Sequence, residues 1–164
     1  KDHLRKWEPN RGESFYTLEQ HTKNLEIDRK NYENKSGIRL FMILKDFDVQ
    51  DDAISVGERE IIGFVNFSNI VYGVFLSSFI GYAIGEKYLR QGYMIEAIKL
   101  GIDIMFNAYG LHRIEGNVIP RNVNSLELLK KMGFQEEGNS PKYLKINGVW
   151  EDHIHMVMRN EALE

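Results

Sequence analysis

Residues 61–85 carry no charge, yet the run is not uniformly apolar. Asn66, Ser68, Asn69, Ser77 and Ser78 interrupt it, as do Gly63, Gly73 and Gly81. Its length would span a membrane, but the interruptions predict two buried strands joined by a bend, over 61–67 and 77–84. In the second, Ile80, Tyr82 and Ile84 alternate as a half-buried strand requires. From 93 to 107 the period changes: Met94, Ile98, Ile102 and Met105 fall on one helical face. Gly110 ends that helix, and a strand over 113–119 runs into Pro120. A short helix follows from Asn122 or Asn124 to Met132, with Leu126, Leu129 and Met132 inward and Gly133 as its stop. Two last strands, 143–146 and 149–158, flank Asn147-Gly148, a strong hairpin signal.

The N-terminal part reads the same way. Residues 4–9 end a turn or helix at Pro9, and 11–16 form a polar link. A helix over 18–32 has Thr17 as N-cap, Gln20 completing a capping box, and Leu18, His21, Leu25 and Ile27 facing inward. A strand over 38–44 leads to an acidic loop, 45–53, that lacks the ligand spacing of a calcium loop. Residues 54–57 extend strand or loop, and Glu58-Arg59-Glu60 form a hairpin tip. The order is helix, three strands, helix, strand, helix, two strands. This predicts a mixed, mostly antiparallel α/β (α+β) domain.

Composition narrows the chemistry. The 164 residues are 43% hydrophobic and 27% charged, with a net charge of -3. One soluble domain with a sizeable core is expected, with no direct nucleic-acid partner and no membrane anchor. No cysteine is present, which excludes disulfides, thiolate metal sites and a cysteine acyl intermediate. That usage fits a cytoplasmic location. His153 and His155 share a strand face, but no third ligand is placed by sequence, so no metal is expected. The chain opens at Lys1-Asp2-His3 without Met, so an upstream segment is expected.

Between the central strand and helix lies Leu89-Arg90-Gln91-Gly92-Tyr93-Met94. Its successive backbone N–H groups, at a helix N-terminus, make an anion site suited to a pyrophosphate. Gly92 lets the backbone approach such a ligand. A plain strand–helix turn would show the same residues.

Three stretches combine to decide the matter: residues 85–97 with Gly92, residues 111–118 leading into Asn122-Val123-Asn124-Ser125, and residues 129–138 with Met132-Gly133-Phe134. In this order they resemble the GNAT superfamily of acyl-CoA N-acyltransferases, and more narrowly its ribosomal-protein N-terminal acetyltransferase (Rim-type) branch. Leu4-Arg5-Lys6-Trp7-Glu8-Pro9 and Asn147-Gly148-Val149-Trp150-Glu151-Asp152 fit that branch too. The resemblance covers nearly the whole chain, read as a single domain over 1–164 lacking the family's first strand and part of its first helix. The family's phosphate loop, R/Q-x-x-G-x-G/A, keeps only Gly92. Leu89 and Met94 depart from it, which a site built from backbone amides tolerates.

The resemblance implies a GNAT-like sheet splayed in the middle, and acetyl-CoA as co-substrate without a metal. The pyrophosphate would lie on the amides of Arg90, Gln91, Gly92, Tyr93 and Met94. The pantetheine would lie along Tyr82, Ala83 and Ile84, with an N–H near Ile84 for the oxyanion. Asn122 and Ser125 match the family's N-x-x-S. Ser125 is the candidate proton donor to the leaving sulfur, or a helix cap. Glu115 is the candidate base, with Asn117 on the same face, or an ion-pair partner. Trp7, Tyr88 and Asp152 are candidates for the acceptor cleft, although aromatics are often core and Asp152 has a capping reading. Tyr143 and Trp150 are further cleft candidates.

The implied reaction is direct attack of a neutral amine on the thioester. An α-amine, with a pKa of about 7.7–8.0, needs less help than a lysine near about 10.4. This favours a protein or peptide N-terminus as acceptor. A polyamine, amino-acid derivative or aminoglycoside acceptor keeps the same chemistry, and a non-catalytic CoA-binding sensor or scaffold is the reading of another class. An oligomer is compatible with all of these.

Overall fold

The computed structural model describes residues 3–9, 11–44 and 60–164. The predicted acidic loop, residues 54–57 and most of the predicted hairpin tip lie outside these. Helix α1 (Leu18–Glu33) starts at Thr17, whose side chain accepts from the Gln20 N–H. The Gln20 side chain does not close the box; its Nε2 donates to Asn24 Oδ1 at 3.0 Å. Next come β1 (Ile38–Ile43), β2 (Ile61–Val71), β3 (Ser77–Ile84), α2 (Tyr93–Asp103), β4 (Arg113–Val118), α3 (Val123–Lys131), β5 (Gln135–Ile146) and β6 (Val149–Arg159). The six strands form one sheet in the order β1-β2-β3-β4-β6-β5. Every neighbouring pair is antiparallel except β3–β4, which is parallel. This is an α+β architecture, and the uncharged run 61–85 is the β2–β3 pair with its bend. No described helix is long and apolar enough to cross a membrane.

The core lies on one face of the sheet, under α2 and α3. Ile98 and Met105 from the α2 segment, Leu129 from α3, and Val65, Phe67, Ile114 and Met156 from the strands are buried together. These are the inward positions that the 3.6 and 2.0 periods select. Gly101 brings α2 onto Phe67: a Cβ there would stand 2.7 Å from Phe67 Cε2. Phe67 is fully buried and has nowhere to go. Gly101→Ala is therefore expected to cost about 1–3 kcal/mol, read as a lower urea midpoint at unchanged m.

Two expectations need correction, on α1 and on β5, and the helix over 93–107 holds with a change of type. Leu18, Leu25 and Ile27 are exposed at 84%, 53% and 55%, and His21 is exposed too. The half-buried positions of α1 are instead Gln20, Asn24, Asp28 and Asn31. Asp28 pairs with Arg39 of β1 at 3.0 Å, so a polar stripe, not an apolar one, meets the sheet. Strand β5 begins at Gln135, well before 143, because a polar, exposed edge still pairs its backbone with β6, through shifts at Glu136/Gly138 and Ser140/Leu144. The helix over 93–107 is α-helical only to Asp103; residues Ile104–Ala108 widen into a π-turn before Gly110 at φ +66. The Asn147-Gly148 hairpin holds, with φ of 50 and 85, the double left-handed turn this pair favours.

Candidate active site

The parallel pair β3–β4 is joined over a short stretch only: Ser77↔Arg113, Ser78↔Ile114 and Phe79↔Glu115. Both strands run on, β3 to Ile84 against β2 and β4 to Val118 against β6, but they no longer pair with each other. A V-shaped opening results. Gly85 N–H donates to the Ile62 carbonyl at 2.8 Å. Antiparallel ladders alternate, so Ala83 and Gly81 turn their backbone groups to β2, and Ile80, Tyr82 and Ile84 turn theirs toward β4, Ile80 next to the last paired residue, Phe79, and Tyr82 and Ile84 beyond it in the opening. Of the three strand residues expected along the pantetheine, Tyr82 and Ile84 turn their backbone groups away from β2 and Ala83 does not, although the Ile84 carbonyl is taken by His3.

Helices α2 and α3 each follow a strand that borders the opening, so both begin at its wide end. Gly92 caps α2 at φ +89, a left-handed conformation that a side chain disfavours, and nothing lies within 4 Å of where its Cβ would be. No side chain caps the helix. The first-turn N–H groups of α2 precede the first intrahelical bond, Glu96 N–H to the Gly92 carbonyl, and have no helical partner. Arg90 has φ +61, and Gln91 fixes the loop by donating from Nε2 to the Lys87 carbonyl at 2.8 Å. Asn122 occupies the N-cap position of α3 without a side-chain cap bond. Orphan amides, open space and an unused amide side chain suit a phosphate-bearing, amide-rich ligand such as coenzyme A.

Ser125, in the first turn of α3, is joined to β3 across the floor of the opening: its Oγ is 2.6 Å from Tyr82 Oη. Burial pushes the Tyr82 phenol up to about 12, with the Ser125 hydrogen bond pulling the other way. An unfolded tyrosine ionises near about pH 10. The group therefore supports folding fully below that pH and loses its contribution as pH rises through the folded value. Unfolding midpoints of Tyr82→Phe are expected to fall less steeply than those of the parent between about pH 10 and 12.

Glu115 is opposite the last paired residue of β3, at the apex of the opening. Its Oε1 accepts from Arg113 Nε at 2.8 Å and from Ser77 Oγ at 3.4 Å, so it stands in an ion pair. Arg113 also binds Glu137, whose carboxyl this contact holds below the usual range. Asn117, two residues on, lies where the strands have parted, and its Oδ1 is buried without a partner among the described residues. Tyr88 Oη donates to Glu60 Oε2 at 2.6 Å, which directs its polar end to the start of β2. Asp152 Oδ1 accepts from the Lys142 N–H at 2.8 Å, where the β5–β6 register shifts, so its carboxylate caps backbone. Trp7 lies beside Arg121, with 5.8 Å from the guanidinium to the ring centre, and Arg121 pairs with Glu151 at 2.6 Å.

Two features were not anticipated. His3 places Nε2 3.0 Å from the Ile84 carbonyl, on the free edge of β3. A carbonyl only accepts, so that nitrogen carries the proton. Its Nδ1 is buried without a partner among the described residues. Asn147 donates to the Arg5 carbonyl at 2.7 Å, tying the same N-terminal stretch to the β5–β6 hairpin. Neither contact leaves a sequence signal, since each joins residues far apart. The imidazoles of His153 and His155 both face the Tyr143 ring, at 5.6 and 5.0 Å between centres. Among the described residues no group of three His, Asp or Glu side chains gathers to hold a metal ion.

Residues 1–135 match the family model described as an acetyltransferase (GNAT) domain. The chain is 38% identical over 156 residues to the ribosomal protein uS5-alanine N-acetyltransferase of Escherichia coli strain K12, covering 92% of this chain and 72% of that protein. The crystal structure of ribosomal-protein-S5-alanine acetyltransferase from Vibrio fischeri superposes with a TM-score of 0.87 at 35% identity, covering 99% of this chain and 82% of the other. Mycobacterium smegmatis RimJ in complex with CoA-disulfide superposes at 0.82 and 27% identity, covering 99% and 73%.

Proposed function

We propose that this chain, which belongs to the GNAT acetyltransferase family, moves an acetyl group from acetyl-CoA to the α-amine of a protein or peptide N-terminus, as its uS5-alanine acetyltransferase relatives are named for doing. The family uses acyl-CoA. The observation that carries the reading is the opening between β3 and β4, with a free strand edge on one side and the N-termini of α2 and α3 at its wide end.

Coenzyme A supplies an activated acyl thioester, and the chain's residues bind, orient and exchange protons. The first-turn amides of α2, from Gly92 through Met94, hold the pyrophosphate. The backbone groups of Tyr82 and Ile84 receive the pantetheine amides as an added strand would. His3 must release the Ile84 carbonyl for that pairing to extend to the end of β3. An N–H on this edge stabilises the oxyanion, a contribution of about 3–4 kcal/mol in comparable sites. Asn122 steadies the arm from the opposite side, and Ser125 faces the leaving sulfur. Glu115 is engaged by Arg113 and Ser77, so we assign it the shaping of the apex and let the acceptor enter as a neutral α-amine. Trp7 and the Arg121–Glu151 pair border the acceptor approach.

Release of free thiol from acetyl-CoA, measured against N-terminal peptides, polyamines and aminoglycosides, tests the reading. Turnover restricted to free α-amines supports it. Turnover only with polyamines or aminoglycosides replaces the acceptor. CoA binding without turnover points to a sensor.

A further inference from the structure

The Tyr82 side chain has no part in the reading above, which uses only its backbone. Its hydroxyl is 2.6 Å from Ser125 Oγ and 3.5 Å from the Ser125 carbonyl. The first is a strong contact and the second marginal. One hydrogen lies between the two hydroxyl oxygens, and acidity decides whose it is. A phenol is a much stronger acid than an aliphatic alcohol, so Tyr82 donates and Ser125 Oγ accepts. Ser125 is then left with its own hydrogen free to point elsewhere. Tyr82 occupies the side toward β3, so that hydrogen is left for the opening or for a carbonyl of the preceding turn.

A second argument concerns the proton itself. A lone serine that protonated a departing thiolate would become an alkoxide, a far stronger base than an alkyl thiolate, since a thiol such as that of cysteine has a pKa of about 8.5. The transfer would be uphill unless the serine oxygen regained a proton as it gave one. The only hydroxyl within hydrogen-bonding distance of Ser125 Oγ among the described residues is that of Tyr82.

We propose that Tyr82 positions Ser125 and refills it, so that the two hydroxyls act as one proton relay to the leaving sulfur. This rests on the acetyl-transfer reading. As the C–N bond forms and the C–S bond breaks, the bonding pair leaves with sulfur. The Ser125 proton passes to sulfur while the Tyr82 proton passes to Ser125 Oγ. The proton shed by the amine, which becomes a far stronger acid than a phenol once its nitrogen is acylated, returns to Tyr82 through solvent as the phenol gives its own, so no phenolate is left behind and the products are amide and free thiol. Tyr82 is not thereby in contact with substrate through its hydroxyl; its effect is exerted through Ser125.

The test combines a kinetic cycle with a ligand-free readout. Ser125→Ala should lower kcat about a hundredfold, within the range of general-acid removal. Tyr82→Phe should lower kcat about tenfold, with the KM for acetyl-CoA within twofold of the parent. The double variant should be no slower than Ser125→Ala alone, because residues acting as a unit are not additive. In ligand-free protein carrying 13C-labelled tyrosine, the Tyr82 Cζ resonance should move on Ser125→Ala, which reports the donor bond independently of activity. Ser125→Thr, which keeps the hydroxyl, should restore most of the rate. CoA-induced thermal shifts verify that each variant is folded. Additive losses, or a Tyr82→Phe kcat within twofold of a working parent, would overturn the relay alone. A parent without turnover on any amine would overturn the acetyl-transfer reading and the relay together. If Tyr82→Phe fails to fold, an unmoved Cζ resonance in Ser125→Ala still rejects the proposal.

Discussion

Gly92→Val is expected to weaken acetyl-CoA binding about a hundredfold while leaving the fold intact. Two effects follow. At φ +89 a β-branched residue is strained, by about 1–2 kcal/mol for an L residue in the left-handed region. The side chain would also fill the empty space over the first-turn amides of α2. A single charge-assisted hydrogen bond lost there removes about 1.5–3 kcal/mol. The strain acts on the free and bound states alike and is read in stability, whereas two such bonds lost amount to about 3 kcal/mol or more, which is two decades in affinity. Isothermal titration with coenzyme A reads it directly, and KM for acetyl-CoA should rise in parallel with little change in kcat. Because nothing lies within 4 Å of the new Cβ, the loss of thermal stability should be confined to the strain. Unchanged CoA affinity would mean that the phosphates lie elsewhere.

Gly63→Ala is expected to damage the fold itself. Gly63 is the partner of Ile84 across β2–β3, and an added Cβ would stand 2.5 Å from the Ala83 carbonyl oxygen and 3.1 Å from Ile84 Cα. Both neighbours are backbone, held in a ladder, so no rotamer change can relieve the contact. The cost should reach the upper end of the overpacking range, about 3 kcal/mol. For a chain of this size that lowers Tm by roughly 6–12 °C. Any relief would come from displacing β3 at the segment that borders the opening, so turnover should fall even in the folded fraction. Gly81→Ala, on the neighbouring strand β3, is the control. Gly81 lies between Ile80 and Tyr82, has no positive φ, and a Cβ there meets nothing within 4 Å. Its Tm should stay close to that of the parent. Equal losses from the two substitutions would discard the close-approach argument.

The elements that build the opening were legible because their signals are local. Alternation at Ile80, Tyr82 and Ile84 marked β3, and four apolar residues at helical spacing marked α2. Asn-Gly marked the last hairpin, and Gly92 marked the start of α2, since backbone conformation alone selects glycine there. Helix α1 misled for the same reason. Its apolar residues have a usable period, yet the sheet takes the side bearing Asp28, because an Arg39 across the interface pairs with it. Glu115, by contrast, had two readings from the sequence, a base or an ion-pair partner, and the tertiary structure adds that Arg113 and Ser77 bind its carboxylate.

By itself, then, the sequence determined the order of elements and a mixed sheet, because periodicity, turn chemistry and loop glycines act over a few residues, while the acyl-CoA family came from the resemblance of three separate stretches to the GNAT superfamily. The tertiary structure alone decided where β3 and β4 part company. It also decided which of Tyr82, Ala83 and Ile84 turn their backbone groups away from β2, and that Tyr82 meets Ser125 and His3 meets Ile84. Those contacts join residues 43 and 81 positions apart. Their existence depends on strand order and register, which the whole sheet fixes collectively and no local pattern records.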